Sequence, residues 1–164
     1  MHSLVREALA RPRPADEAIP RSGRVLAIDL GDVRTGVAIT DPDQVIGGAL
    51  ERLDCAGLDD AAVTAAIIDL ARQRGACGVV VGLPRTLEGR DGPPARRARA
   101  VARGIEGAGL PVALVDERFS TTEAERLMIA GGTRRRERRE RIDGVAATII
   151  LQSWLEARRM SRGR

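Results

Sequence analysis

Lysine is absent from this 164-residue chain, so all 27 of its basic residues are arginine. That absence removes a Walker-type phosphate loop and a Schiff-base lysine from the available chemistry. The single histidine, His2, lies in an N-terminal stretch without periodicity. A histidine-based triad and a His-rich zinc site are therefore excluded as well. Two cysteines, Cys55 and Cys77, are too few for a zinc site and do not form a disulfide scaffold. They read as packed, inert thiols of a cytosolic protein. Phe119 and Trp154 are the only aromatic residues, which argues against recognition of single strands by stacking on exposed rings. No apolar run approaches the roughly 18 residues of a membrane span, and the N-terminus lacks a signal-peptide pattern. A cytoplasmic location with no membrane contact is expected.

What is present is a chain with 43% apolar residues, mostly Ala, Val, Leu and Ile, enough for one domain with one sizeable core. The net charge of +4 is modest, but its distribution is uneven. Residues 134 to 141 carry six Arg against two Glu, and residues 85 to 103 carry six Arg against two acids. Residues 25 to 84 reverse the balance, with nine acids against four Arg. Basic segments around an acidic centre suit a polyanion approaching a cation-holding site. Ordinary solvated faces of an Arg-rich protein would produce the same count.

Residues 1 to 22 are rich in Arg, Pro and Ala and read as a flexible N-terminal extension. A single domain is expected over 23–159, with a basic tail over 160–164. Within it, residues 24 to 30, GVAIT and VIGGALERL predict three strands joined by short turns, an antiparallel meander. Leu58 to Arg74 predicts a helix with Leu58, Ala62, Ala65, Ala66 and Leu70 facing inward, closed by Gly75. ACGVVVGLP reads as a buried parallel strand, and PVALVDER as a further buried strand. Between them, Gly92 to Gly107 reads as a helix with Ala95, Ala98, Ala102 and Ile105 on its inner face. Ser120 and Glu123 make a capping box that opens a further helix ending at Gly131-Gly132. An Arg-rich loop, TRRRERRER, then leads to a last helix from Ile142 to Arg159. The expected fold class is α/β: a five-stranded mixed sheet, three antiparallel strands followed by α/β units, in the order βββαβαβαα.

Three carboxylates stand out by position. Asp29 ends the first strand, in VLAIDLGDVRTGVAITD, where an unpaired acid beside so apolar a run would be costly. Glu117 ends the last strand, in VDERFSTT, and Asp143 falls in the first turn expected for the last helix, in RIDGVAATIILQSWL. Sites in open α/β sheets form outside the carboxyl ends of the strands. If the first and last strands lie near each other, Asp29 and Glu117 converge there, and a helix crossing that edge brings Asp143 to them. Three carboxylates without histidine form a hard oxygen donor set, which selects Mg²⁺ or Mn²⁺ over zinc. Two such ions roughly 3.5–4 Å apart can activate a water and stabilise the leaving oxygen of a phosphodiester. Each acid also has an ordinary reading. Asp29 fits a turn, Asp116 and Glu117 can pair with Arg118, and Asp143 suits a helix N-terminus. Singly the ordinary readings prevail; the three acids together favour the metal site.

These segments, together with VVVGLPRTLEGRDG, resemble the YqgF/RuvX family, with four motifs in the family's order and spacing from about Arg24 to Leu155. The resemblance implies an RNase H-like fold, akin to RNase H and the RuvC resolvases. It implies a metal-dependent endonuclease, active in Holliday junction resolution or in maturing the 5′ end of precursor 16S rRNA. Its acidic triad falls on Asp29, Glu117 and Asp143. Asp32 and the density of the Arg run stand outside the family pattern, and Asp32, Cys55 and Cys77 receive no role.

Asp29 is expected to bridge two metal ions, with Glu117 and Asp143 each supporting one. Arg85 and Arg90, in the GLPRTLEGR segment, Arg118 beside Glu117, and Arg134, Arg135, Arg136, Arg138 and Arg139 in the Arg-rich loop are candidate contacts to nucleic-acid phosphates. A resolvase reading adds a two-fold homodimer, because a four-way junction needs two active sites. The rival from another class is a non-catalytic nucleic-acid-binding or partner-recruiting module that keeps the fold. A nucleotide-gripping D-x-G turn of the actin and sugar-kinase type would require a second domain for which this chain has no room.

Overall fold

The computed structural model describes residues 18–117 and 135–161, the side chains of 135–143 excepted. Strands β1 (Arg24–Leu30), β2 (Arg34–Thr40) and β3 (Gly47–Asp54) form the expected meander. Helix α1 (Asp60–Gln73), β4 (Ala76–Leu83), α2 (Pro93–Gly107) and β5 (Val112–Asp116) follow, and α3 (Arg135–Ser161) closes the chain. The five strands make one sheet in the order β3-β2-β1-β4-β5. The β1–β2 and β2–β3 pairs are antiparallel, whereas β1–β4 and β4–β5 are parallel. The expected mixed sheet is therefore present. The helix expected over 120–132 lies outside the described residues.

Alternation along the strands sends side chains to two cores. Leu26, Ile28, Val79 and Val81 meet α1 and α2 on one face. Val25, Ala27, Val80 and Ala113 meet Ala147, Ile150, Leu151 and Trp154 of α3 on the other. Helix α1 starts where Asp59 accepts the Ala62 amide at 2.8 Å, and it stops before Gly75, whose φ of +65° a side chain would disfavour. Its buried stripe is Val63, Ile67, Leu70 and Ala71. Of the five inward positions expected, only Leu70 is buried to this degree, and Leu58 precedes the helix, 45% exposed. The larger Val and Ile side chains remove more apolar area from water than alanines and set the rotation. In α2 the expected inner face is observed, with Val101 added.

Two sequence expectations change. Residues 135 to 141 are not a loop but the opening turns of α3. Arg and Glu are good helix formers, and their alternation allows favourable pairs at helical spacing. Asp143 consequently stands about two turns inside the helix rather than in its first turn, so charge compensation at a helix N-terminus does not explain it. α3 also extends to Ser161, two residues into the expected tail.

The last residues of the expected N-terminal extension are built into the domain. Ile19 is 2% exposed and packs with the α3 core. Its carbonyl accepts from Arg158 Nη2 at 2.5 Å, and the Arg158 guanidinium lies 4.6 Å from the Trp154 ring centroid. Gln44 Nε2 donates to the carbonyls of Pro20 and Gly23. Both cysteines are free thiols. Cys55 is buried, 3.3 Å from Thr35 Oγ1. Among the described residues, no helix is long and apolar enough to cross a membrane.

Candidate active site

Asp29 is the sixth residue of β1, paired with Gly36 across the hairpin. It shares the parity of Val25 and Ala27, which pack against α3, and so belongs to the α3 face at the carboxyl end of the strand. Glu117 follows β5 directly, and its amide donates to the Leu83 carbonyl at 3.0 Å. It shares the parity of Ala113, on the same face.

The two strands are not neighbours, since β4 runs between them. Gly82 closes the gap. A Cβ at position 82 would overlap Glu117 Oε1 and stand 2.6 Å from both Glu117 Cδ and Ile150 Cδ1. The missing side chain leaves the room in which the Glu117 carboxyl folds back across β4 toward β1.

There it meets Asp29. The Glu117 carboxyl is pushed up to about 9, first by burial, then by the Asp29 charge, by a hydrogen bond with Asp29, and by the charge of Asp116. Two carboxylates in contact cannot both ionise cheaply, so without a cation they hold a proton between them at neutral pH. A divalent cation would replace that proton and draw both groups into their ionised form. The hard oxygen donors therefore suit Mg²⁺ or Mn²⁺. Among the described residues, no three of His, Cys, Asp and Glu lie close enough together to hold a metal ion. The side chain of Asp143 is not among those described.

The turn behind Asp29 is tightly held. At Gly31 a Cβ would overlap the Arg34 carbonyl oxygen, so this close approach requires glycine. The Val33 carbonyl accepts from the Cys55 amide at 2.8 Å. Arg97 of α2 donates from Nη1 to the Gly31 carbonyl at 2.9 Å and from Nε to Asp60 Oδ1 at 2.8 Å. Asp32 is exposed in this turn.

The candidate phosphate contacts divide. Arg85 is committed within the loop after β4: Nε lies 3.1 Å from Asp91 Oδ1, Nη2 donates to the Gly89 carbonyl, and Nη1 is 3.9 Å from Asp116 Oδ2. Arg99 also grips Asp91. The two guanidinium groups, Arg99 foremost, hold the Asp91 carboxyl below the usual range. Arg90 is exposed at the same loop, its amide tied to Thr86 Oγ1 at 3.0 Å. Arg135, Arg136, Arg138 and Arg139 lie in the first turns of α3, while Arg118 and Arg134 lie outside the described residues.

Gly82, Asp91 and Arg97 are not among the residues that sequence reasoning singles out. Gly82 carries a legible signal, an isolated glycine inside the apolar run VVVGLP, which marks a close approach in a strand. Asp91 and Arg97 carry none, since their partners are set by loop and helix packing.

Comparison with known proteins gives a consistent family. The RuvX family, described as Holliday junction resolvase, matches residues 23–157. A protein of Pelotomaculum thermopropionicum, carrying the provisional name pre-16S rRNA nuclease, is 45% identical over 135 residues, covering 82% of this chain and 87% of the relative. A protein of the same provisional name from Mycobacteroides abscessus is 42% identical over 151 residues, covering 91% of this chain and 89% of the relative. Among solved structures, Thermus thermophilus RuvC in complex with a Holliday junction substrate superposes with a TM-score of 0.54 at 16% identity, covering 85% of this chain and 96% of that one. At that identity the likeness shows the RNase H-like fold and nothing further.

Proposed function

Because the chain belongs to the RuvX family and is a nuclease, we propose that it hydrolyses phosphodiester bonds with Mg²⁺ or Mn²⁺ held by Asp29, Glu117 and Asp143. The observation that carries this reading is the contact between the Asp29 and Glu117 carboxyls over Gly82. A protein gains no stability from two acids in contact; a site for a divalent cation accounts for them. Asp143 supports the same reading by position. It precedes Ala147 and Ile150 of the sheet-facing core by four and seven residues, the repeat of one helix face. Ile150 lies against Gly82, so this stripe of α3 runs toward the acid pair.

The bound cations would supply a water lowered in pKa and charge stabilisation for the leaving oxygen. The chain's own residues do the rest. Asp29 and Glu117 would hold the cation, Gly82 leaves room for the Glu117 carboxyl to reach Asp29, and the hairpin turn at Gly31 closes β1's end. The Arg-rich start of α3 and Arg90 draw in the phosphate backbone.

Relatives at 42 to 45% identity bear the rRNA-nuclease name, so precursor 16S rRNA is the substrate this reading favours, with the protein acting in the cytoplasm in ribosome biogenesis. Resolution of Holliday junctions in DNA recombination would add a homodimer, because two symmetric cuts need two sites. The test is a side-by-side cleavage assay of precursor rRNA and a four-way junction, with each metal, using the parent protein and D29N. Metal-dependent cutting of the precursor that D29N abolishes supports the proposal. Equal cutting by D29N, or cutting of the junction alone, overturns it.

A further inference from the structure

We infer that Arg97 is a positioning residue for the metal site, a clamp that sets the Asp29 end of β1 from outside the sheet. This inference rests on the proposed role of Asp29. Asp29 stands one residue before the end of β1, and Gly31 follows that strand. The Gly31 carbonyl lies beyond the last β1–β2 pair, Leu30 with Thr35, and needs a partner of its own. Arg97 supplies the pin. Its guanidinium spans Gly31 and Asp60, so one side chain joins the turn, the start of α1 and the second turn of α2. The side chain is only 22% exposed, whereas its Asp60 partner is 54% exposed. The guanidinium is therefore the more enclosed of the two partners, with the Asp60 carboxylate as its outer anchor.

The chemistry requires arginine. Two acceptors on different elements must be met by one rigid, permanently charged fork, which a lysine ammonium cannot reproduce. The turn is also held by the Cys55 amide on the Val33 carbonyl and by the β1–β2 ladder, which reaches Leu30 and Thr35. Removing Arg97 would leave those tethers and free the Gly31 carbonyl, on the side of the turn nearest Asp29. Groups that orient metal ligands through a neighbouring shell typically change metal affinity by about 10–100-fold when removed.

The experiment measures Mn²⁺ binding to the full chain by calorimetry, beside hydrogen exchange of the amides of residues 31–36. The proteins are the parent, R97A, R97K, D60N and D29N. The inference expects R97A to weaken Mn²⁺ binding by about tenfold or more and to speed exchange in the turn. R97K should fall between, and D60N, which keeps the Gly31 bond, should do less than R97A. Nucleic-acid affinity in chelator, and its salt dependence, should match the parent. Mn²⁺ affinity of R97A within twofold of the parent would overturn the inference. So would a loss confined to nucleic-acid affinity with a flatter salt slope, which would make Arg97 a phosphate contact. If R97A does not fold, R97K and D60N carry the test, and parental Mn²⁺ affinity in both overturns it. D29N separates the two levels. If D29N binds Mn²⁺ as the parent does, the site reading itself fails; if D29N loses Mn²⁺ and R97A keeps it, only the clamp fails.

Discussion

The Glu117 carboxyl occupies the place where a side chain at Gly82 would begin. Glu117 lies beyond β5 and Asp29 near the end of β1, with β4 between them. A side chain on that middle strand would block the crossing. A G82A variant must therefore displace both the Glu117 carboxyl and Ile150, which stands 2.6 Å from the added carbon. Activity should fall by roughly 100-fold or more, the scale of an ångström-sized misplacement of a reacting group. Overpacking should cost about 1–3 kcal/mol of stability. Adding E117A to G82A should return part of that stability and none of the activity. Thermal unfolding and cleavage rates of the three proteins check this.

The pH dependence of the metal-free protein has a definite sign. Glu117 moves from an ordinary value of 4.5 to about 9 in the fold, so between those values the native state binds more protons than the unfolded chain. Stability should fall as pH rises through that window. D29N removes one of the charges that raise Glu117 and should flatten the decline, and Mg²⁺ should flatten it by replacing the proton. Melting temperature against pH, in chelator and in Mg²⁺, is the measurement; a decline equally steep in D29N would count against the carboxyl pair.

The Arg-rich start of α3 should set the salt dependence of nucleic-acid binding. Each phosphate contact contributes a slope of about −0.9 for duplex DNA and about −0.7 for single strands. Alanine at Arg135, Arg136, Arg138 and Arg139 in turn should flatten the slope stepwise. Binding in the absence of divalent metal, titrated across salt, measures this apart from cleavage.

Asp91 draws Arg85 and Arg99 together in the loop after β4. D91N should release Arg85 and loosen residues 84–92, seen as faster hydrogen exchange there with little change in melting temperature. Because Arg85 also faces Asp116 beside Glu117, the variant tests whether this loop's order matters for cleavage.

Ile19 is expected to behave as core. I19A should cost about 2–5 kcal/mol, the range for a large buried aliphatic, while the remaining folded protein cleaves normally. Urea denaturation with a parallel activity assay distinguishes this from a loss at the active site.

Much of the fold is legible along the chain. The three short-turn strands, the apolar runs of β4 and β5, and the inner face of α2 follow from periodicity and turn residues, which are local. The lack of lysine and the lone histidine narrow the chemistry by composition alone, and the position of Asp29 at the end of an apolar strand marks it as an acid in need of a partner. The stripe of α1 and the start of α3 are less legible. Alanine-rich helices offer several faces of similar hydrophobicity, and an Arg/Glu run is compatible with loop and helix alike.

Residue types and local spacing by themselves determined the strands, the hard-oxygen character of the candidate donors and the acids at the strand ends. Tertiary structure decided that β4 would separate β1 from β5, that the carboxyls would meet over a glycine, that Arg97 would reach Gly31 and Asp60, and that Ile19 would belong to the core. The physical reason is range. Side-chain chemistry and periodicity act over a few residues, whereas these contacts join residues distant in sequence, brought together only when sheet order and helix packing are complete.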